Sequence, residues 1–482
     1  MTLLDRIERW AALAPERSAH TSSGRSLSYR ELLRGAAALA SDLRRRLPDD
    51  GTPVAVVGHK EPELLVAFLG VMAAGHPYLP LDTALPSQRI ERIVGLAGAC
   101  LTLTPDAIAT AAAGPDDEER RAPRSEEACY VMFTSGSTGE PKGVVITHGC
   151  LATFVDWMLG EQPLEPGLAF LDVAPFSFDL SVMDVYLSLV TGGTLVSLTR
   201  DQLGNPKQLY AALAASDVTV WVSTPSFAQL CLAERSFGAS LLPSLRRFLF
   251  CGETLPADVA AQLLERFPAA EVWNTYGPTE ATVATTSIRV DRGVLAAHPV
   301  LPVGRPMPAC RIVVLDPEGR SVPAGERGEI VIAGPNVSPG YLGRPDLTER
   351  AFFQLDGQRA YRTGDWGRLK DGLLFFEGRM DNQVKVRGHR VELGDVEAHL
   401  RALPGVRDAV VVPLMKRGAV DALCAVVVPA QEAPPQFTRE LRTRLAERLP
   451  AYMLPYKFRV AQALPLTANG KVDRAALAKS FA

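Results

Sequence analysis

Short apolar runs alternate with helix-length segments over most of this chain, and that alternation restricts the fold more than any single residue does. SLSYRELLRGAAALASDLRR carries a helical period, TPVAVVG is a short strand, and PELLVAFLGVMAAG returns to helix. LAFLDVAP, VYLSLVTGGTLVSL, VTVWVSTPSF and LRRFLFCGE continue the pattern around helical segments at PKQLYAALAAS and LPADVAAQLLERF. The expected body is therefore α/β. Past residue 300 an additional β-rich region begins, with CRIVVLDPEGR and GEIVIAGPNVSPGYLG separated by glycine-containing turns. GLLFFEGRMDNQVKVRGHRVELGDVEAHLRAL then passes from strands to a helix, and DAVVVPLMKRG, LCAVVVPA and FTRELRTRLAERL complete another α/β unit. Arg379, Asp381 and Asn382 make the junction between these parts polar and exposed. The pattern predicts a large domain over 1–378, a hinge over 379–382 and a small C-terminal domain over 383–482.

Composition narrows the function classes. With 47% hydrophobic and 22% charged residues and a formal charge of −3, the chain is neither disordered nor a polycationic nucleic-acid binder. A local phosphate site remains compatible with that balance. The N-terminal stretch MTLLDRIERWAALAPE reads as an amphipathic helix without the parts of a signal peptide. LLVAFLGVMAAG is too short to cross a bilayer before His76 and Pro77, so no transmembrane segment is expected. Seven scattered cysteines form no CxxC pair and read as reduced thiols, in keeping with a cytoplasmic protein. PDDEERRAPRSEE reads as an exposed connection.

The segment TSGSTGEPKG, Thr134 to Gly143, follows the apolar strand CYVMF directly. Its glycines permit close backbone approach, its hydroxyls can donate to phosphate oxygens, and Lys142 supplies positive charge. It matches neither the Walker pattern nor the Rossmann GxGxxG arrangement. Four further segments accompany it: NTYGPTEAT from Asn274, YRTGDWG from Tyr361, GRMDNQVKVRGHRVELGDVE from Gly378 and NGKVDR from Asn469. In order and spacing this set resembles the core of the ATP-dependent adenylate-forming enzymes, especially the amino-acid adenylation domains of nonribosomal peptide synthesis. Within that superfamily FSFDLSVMDVYLSLVTGGTL, STPSFAQLCL, FLFCGETLP and NTYGPTEATVA look very similar to the D-alanine–D-alanyl carrier protein ligases.

The resemblance implies the adenylate-forming enzyme fold, a large N-terminal domain with a small mobile C-terminal α+β domain. It implies ATP and Mg²⁺, and a phosphopantetheine thiol supplied by a separate carrier protein, for which the length leaves no fused domain. By motif match Thr134, Ser135, Gly136, Ser137, Thr138, Gly139 and Lys142 surround the β- and γ-phosphates, and Glu280 helps bind Mg²⁺. Gly252, Glu253, Asn274, Thr275 and Tyr276 match the nucleotide region, with Tyr276 offering a ring face to adenine. Asp365 accepts from ribose hydroxyls, and Arg379 adds a ribose or phosphate contact. Asp381 matches the hinge, Gly388 the pantetheine region, and Lys471 the catalytic lysine; Arg387 and Arg390 are further carrier candidates.

The same resemblance places Asp179 on the substrate ammonium, a job suited to a carboxylate. Leu180, Met183, Cys251, Thr275, Val283 and Ala284 then border the side-chain cavity, where the Cys251 sulfur shortens the pocket toward an alanine-sized ligand rather than acting as a nucleophile. D-alanine is the expected substrate, and D-alanylation of teichoic acids the implied pathway. Linear sequence does not separate D- from L-alanine, and three alternatives stay open. They are a ligase for another small amino acid in natural-product synthesis, an acyl-CoA synthetase, and a nucleotide-responsive protein without enzymatic activity.

Overall fold

The computed structural model describes residues 1–115, 122–136, 139–386, 388–416, 419–465 and 472–481. Two compact units emerge, one formed by Met1–Asp82, Ala97–Met132 and Gly143–Gly378, the other by Thr83–Leu96, Phe133–Lys142 and Arg379–Ala482. The second unit thus takes in two stretches, one of them the phosphate loop, that lie far upstream in a region read from sequence as part of the large domain.

A nine-stranded sheet organises the first unit. Its central strands, Glu271–Tyr276, Arg247–Phe250, Val220–Ser223, Ala169–Asp172, Thr194–Ser197 and Ser18–Ser22, run parallel, and antiparallel strands close both edges. Both faces of the strands Ala169–Asp172, Val220–Ser223 and Arg247–Phe250 are largely buried, which explains why these runs are mainly apolar. Phe170, Val220, Val222 and Leu249 point into one core, while Leu171, Trp221, Phe248 and Phe250 point into another. That is the period-two alternation of a strand. A six-stranded sheet carries Val54–Gly58, Tyr78–Asp82 and Ala128–Thr134. The β-rich region expected past residue 300 is a five-stranded antiparallel sheet built on Arg311–Leu315, Gly328–Ala333 and Gln358–Lys370.

Helix boundaries follow local chemistry. Tyr29–Arg46 starts at a capping box in which Glu31 N–H donates to Ser28 Oγ at 3.2 Å and Ser28 N–H donates to Glu31 Oε2 at 2.8 Å. The VYLSLV stretch, read only as part of the alternation, belongs to the helix Leu180–Val190, all of whose residues are buried. A helix covered on every side has no polar stripe to reveal it. The weakly patterned stretch after Leu101 holds a short strand, Leu101–Leu103, and a helix, Pro105–Ala112.

In the second unit Val406–Lys416, Ala419–Pro429 and Lys457–Val460 form a three-stranded sheet. Ala409 and Val411 pack with Leu400, Leu441 and Leu445, while Val410 and Val412 face Leu477 and Phe481. Val386 pairs with His389 in a hairpin whose tight turn requires the positive φ of 83° adopted by Gly388. All seven cysteines are free thiols. Among the described residues no helix is long and apolar enough to cross a membrane.

His20 gives the first unit a titration signature. Burial, reinforced by the charges of Lys60 and Arg25, pushes its pKa down to about 3, so the ring is neutral in the fold. The unfolded chain takes up this proton below about pH 6.5, whereas the native chain resists until about 3. The unfolded state therefore binds more protons in that window, and His20 makes stability fall as the pH falls through it. Urea unfolding between pH 7 and pH 4.5 should show a shallower pH dependence in His20→Asn than in the parent. Equal slopes would contradict the assignment.

Candidate active site

The residues expected around the amino-acid side chain lie in the core of the first unit. Leu180, Met183, Cys251, Val283 and Ala284 belong to one buried cluster together with Tyr130 and Phe176. Cys251 Sγ lies 3.5 Å from the Val283 carbonyl oxygen, and Thr275 donates its hydroxyl to the Phe250 carbonyl at 2.8 Å. The thiol is spent on packing and a weak donor contact, as read from sequence. Asp179 is 9% exposed at the start of the helix Leu180–Val190, and its side chain makes no cap bond to that helix. Nearby, the Tyr130 hydroxyl is buried without a partner, and burial drives its pKa far up, with Tyr78, Cys129 and Asp179 adding to the effect.

One wall is a strained turn. Thr282 has φ 52° and ψ 77°, and Val283 follows with φ 66°. Successive β-branched residues in the left-handed region are costly, on the order of 1–3 kcal/mol each, and persist only where surroundings enforce them. The fully buried Asn336 provides that enforcement. Its amide donates to the Ala281 carbonyl at 2.7 Å and to Thr285 Oγ1 at 3.0 Å, while Thr282 Oγ1 donates to the Asn336 carbonyl at 2.7 Å. Cys310 Sγ, 2.8 Å from Asn336 Oδ1, fixes the amide's other end.

The same turn carries Glu280, which is 0% exposed. Ser338 N–H donates to its carbonyl at 2.9 Å and the Tyr341 hydroxyl to its Oε1 at 2.8 Å. No group of three or more His, Cys, Asp and Glu able to hold a metal occurs among the described residues. A single carboxylate of this kind fits Mg²⁺ held mainly by nucleotide phosphates and water, and does not fit a self-sufficient protein cage.

Gly252, Glu253 and Tyr276 sit at the carboxyl ends of the parallel strands Arg247–Phe250 and Glu271–Tyr276, the side on which α/β sheets bind ligands, whereas Asp365 lies within the antiparallel strand Gln358–Lys370. Tyr276 ends its strand with its hydroxyl donating to Asp365 Oδ2 at 2.5 Å, and its ring is tilted against Phe376 with centroids 5.9 Å apart. These two residues, expected to serve adenine and ribose separately, are thus joined directly. Asn274 donates to the Pro302 carbonyl at 2.9 Å, while its Oδ1 is buried with no hydrogen-bond partner. An orphaned acceptor there suits a donor on an adenine ring. Gly252 has φ 90°, and a side chain at that position would meet Phe178 and Thr224. Glu253 accepts from Ser226 N–H at 3.0 Å and so braces the neighbouring helix start.

In the second unit the candidate phosphate loop is sharply folded. Gly139 N–H donates to the Gly136 carbonyl at 3.1 Å, and a Cβ on Gly136 would lie 2.1 Å from the Glu140 carbonyl oxygen. The Thr134 hydroxyl is buried and unpartnered, which suits a phosphate contact. Ser135, expected on phosphate as well, donates instead to the Arg390 carbonyl at 2.8 Å and accepts from Glu392 N–H at 3.1 Å. Burial raises the Glu392 carboxyl, against the pull of Arg390 and Lys142, which puts the Lys142 charge within electrostatic reach of the same strand. Arg379 grips Asp381 through two nitrogens at 3.0 and 2.6 Å. Burial works to raise that carboxyl, but the Arg379 bond and charge prevail and hold it below its usual range. Ser137, Thr138, Arg387 and Lys471 lie outside the described residues. Sequence reading missed Asn336 and Tyr341, because nothing in a linear string shows that they brace residues some fifty positions upstream.

Known proteins share this arrangement. The AMP-binding enzyme family model matches residues 7–342, and the model of the AMP-binding enzyme C-terminal domain matches residues 395–471. The chain is 47% identical over 495 residues to the D-alanine–D-alanyl carrier protein ligase of Bacillus cereus strain B4264, and 47% identical over 494 residues to that of Bacillus anthracis, with 98% of each chain covered. Among solved structures, a Vibrio cholerae adenylation domain in complex with glycyl-adenosine-5'-phosphate superposes with a TM-score of 0.86 at 24% identity, over 99% of this chain and 97% of that one, which speaks to the fold. A holo nonribosomal peptide synthetase protein with adenylation and carrier domains gives 0.84 at 29% identity, over 99% of this chain and 84% of that one. With matches along nearly its whole length, the chain belongs to the AMP-binding enzyme family, alongside the D-alanine–D-alanyl carrier protein ligases.

Proposed function

We propose that the chain uses ATP to activate D-alanine as D-alanyl-AMP and passes the D-alanyl group to the phosphopantetheine thiol of a separate carrier protein. The observation that carries this reading is the 47% identity to D-alanine–D-alanyl carrier protein ligases over 98% of both chains. In the first step a carboxylate oxygen of D-alanine attacks the α-phosphorus, the bond to the bridging oxygen breaks and pyrophosphate leaves. In the second the carrier's sulfur attacks the acyl carbon, the bond to AMP breaks and the thiol proton is lost.

Each assigned residue has a physical task in that sequence. Asp179 holds the ammonium, and the cluster of Leu180, Met183, Cys251, Val283 and Ala284 limits the side chain to a methyl group. Asp365, already bonded to Tyr276, receives the ribose hydroxyls. Thr134, Gly136, Ser137, Thr138, Gly139 and Lys142 carry the β- and γ-phosphates, while Ser135, whose hydroxyl is engaged by Arg390 and Glu392, braces the loop. Glu280 would hold Mg²⁺, which neutralises phosphate charge when bound. Lys471 contacts the carboxylate and the α-phosphate, and Asp381 marks the hinge that lets one site serve two steps. Residues near Gly388 approach the pantetheine arm. Use of the loaded carrier for teichoic-acid D-alanylation, at a cytoplasmic location, follows from the same reading.

ATP–pyrophosphate exchange across D-alanine, L-alanine, glycine, serine and proline tests it. D-alanine should give the dominant signal, and another dominant amino acid overturns the substrate. Turnover with coenzyme A in preference to a phosphopantetheinylated carrier would favour an acyl-CoA synthetase. ATP binding without exchange on any acid would favour a non-enzymatic role.

A further inference from the structure

Lys60 follows the strand Val54–Gly58 and is only 2% exposed, a rare position for an ammonium. Its Nζ donates to the two oxygens of Asp172 at 2.5 and 2.6 Å and to the Ala174 carbonyl, and it stands 4.0 Å from the centroid of the Phe176 ring. All three partners lie on the stretch that runs from the end of the strand Ala169–Asp172 to Asp179. Phe178 N–H closes a turn in that stretch by donating to the Pro175 carbonyl at 2.8 Å, and Ser181 Oγ donates to the Phe178 carbonyl at 2.8 Å.

Asp172 is tethered from its other side. Ser197 donates its hydroxyl to Asp172 Oδ2, and Ser197 Oγ lies 2.8 Å from His20 Nε2. A serine hydroxyl has one proton, so His20 Nε2–H must be the donor to Ser197. This Ser, His and Asp set therefore runs in the wrong direction for nucleophilic catalysis, since the hydroxyl proton points at the carboxylate and the imidazole cannot accept it. Its effect is to hold Asp172 still.

Stability alone does not account for the arrangement, because a buried ion pair repays little more than its desolvation cost, and apolar residues of equal volume fill a core as well. Apolar residues cannot fix the direction of a carbonyl and of a ring face together. We propose that Lys60 is a positioning residue for amino-acid recognition, pinning Asp172, Ala174 and Phe176 so that the following Asp179 meets the substrate ammonium. The proposal rests on the reading of Asp179 as the ammonium partner.

The test compares Lys60→Met, the charge-balanced double variant Lys60→Met with Asp172→Asn, and Asp179→Asn in ATP–pyrophosphate exchange, with thermal melts of each. Lys60→Met should raise the KM for D-alanine at least about tenfold while the KM for ATP stays within about twofold. The double variant should regain melting temperature yet keep the raised D-alanine KM. An unchanged D-alanine KM in either folded variant overturns the proposal. So does failure of the double variant to fold, since that would make the pair a folding requirement. An Asp179→Asn enzyme with parental kinetics would instead sink the underlying reading of Asp179.

Discussion

Asp179→Asn should lower kcat/KM for D-alanine by about 100-fold, close to 3 kcal/mol, with little change in the KM for ATP. The carboxylate is 9% exposed, so its attraction for an ammonium is only weakly screened, and removing one partner of a desolvated charge pair costs about 2–5 kcal/mol. Asp179 precedes a helix without capping it, and asparagine keeps the shape, so loss of charge is the main change. Circular dichroism and the ATP KM establish that the variant is folded. Exchange with D-alanine within threefold of the parent would remove Asp179 from substrate recognition.

Lys471→Ala should cost about 10²–10³ in the adenylation step, the usual loss when a preorganised donor to developing charge is deleted. The two half-reactions separate this effect from general damage. D-alanyl-AMP supplied to the variant with a phosphopantetheinylated carrier should still be consumed within about tenfold of the parental rate, because thiol attack no longer needs a charge placed between carboxylate and α-phosphate. Rapid-quench measurement of each half gives the answer. A folded variant that forms adenylate normally would return Lys471 to the surface lysines, although the match to the family's C-terminal domain extends to residue 471.

What the sequence made legible was whatever chemistry writes locally. The helical period of SLSYRELLRGAAALASDLRR announces the helix Tyr29–Arg46, and the apolar run before Thr134 announces a strand feeding a glycine turn. The candidate pocket residues Leu180, Met183, Cys251, Val283 and Ala284 came from motifs whose order is itself informative, and they remain proposals. Three features were hidden for physical reasons. The helix Leu180–Val190 is buried all round and so lacks a periodic polar face. The clustering of Thr83–Leu96 and Phe133–Lys142 with the C-terminal stretch is purely spatial. Lys60 and Asn336 act through contacts with residues far away in sequence, and a lone lysine or asparagine carries no pattern that announces such a task.

The turn from Glu280 to Ala284 joins two jobs in five consecutive residues. Under the proposed function Glu280 faces the metal and phosphates while Val283 and Ala284 shape the acyl pocket, and Asn336 clamps the whole turn in a conformation that its β-branched residues resist. The nucleotide end and the acyl end are then mechanically one part. An engineer who reshapes the pocket through Val283 will disturb the metal requirement as well, and a glycine that relaxes the turn will trade selectivity for stability. Substrate range and nucleotide chemistry should therefore resist separate optimisation in this chain.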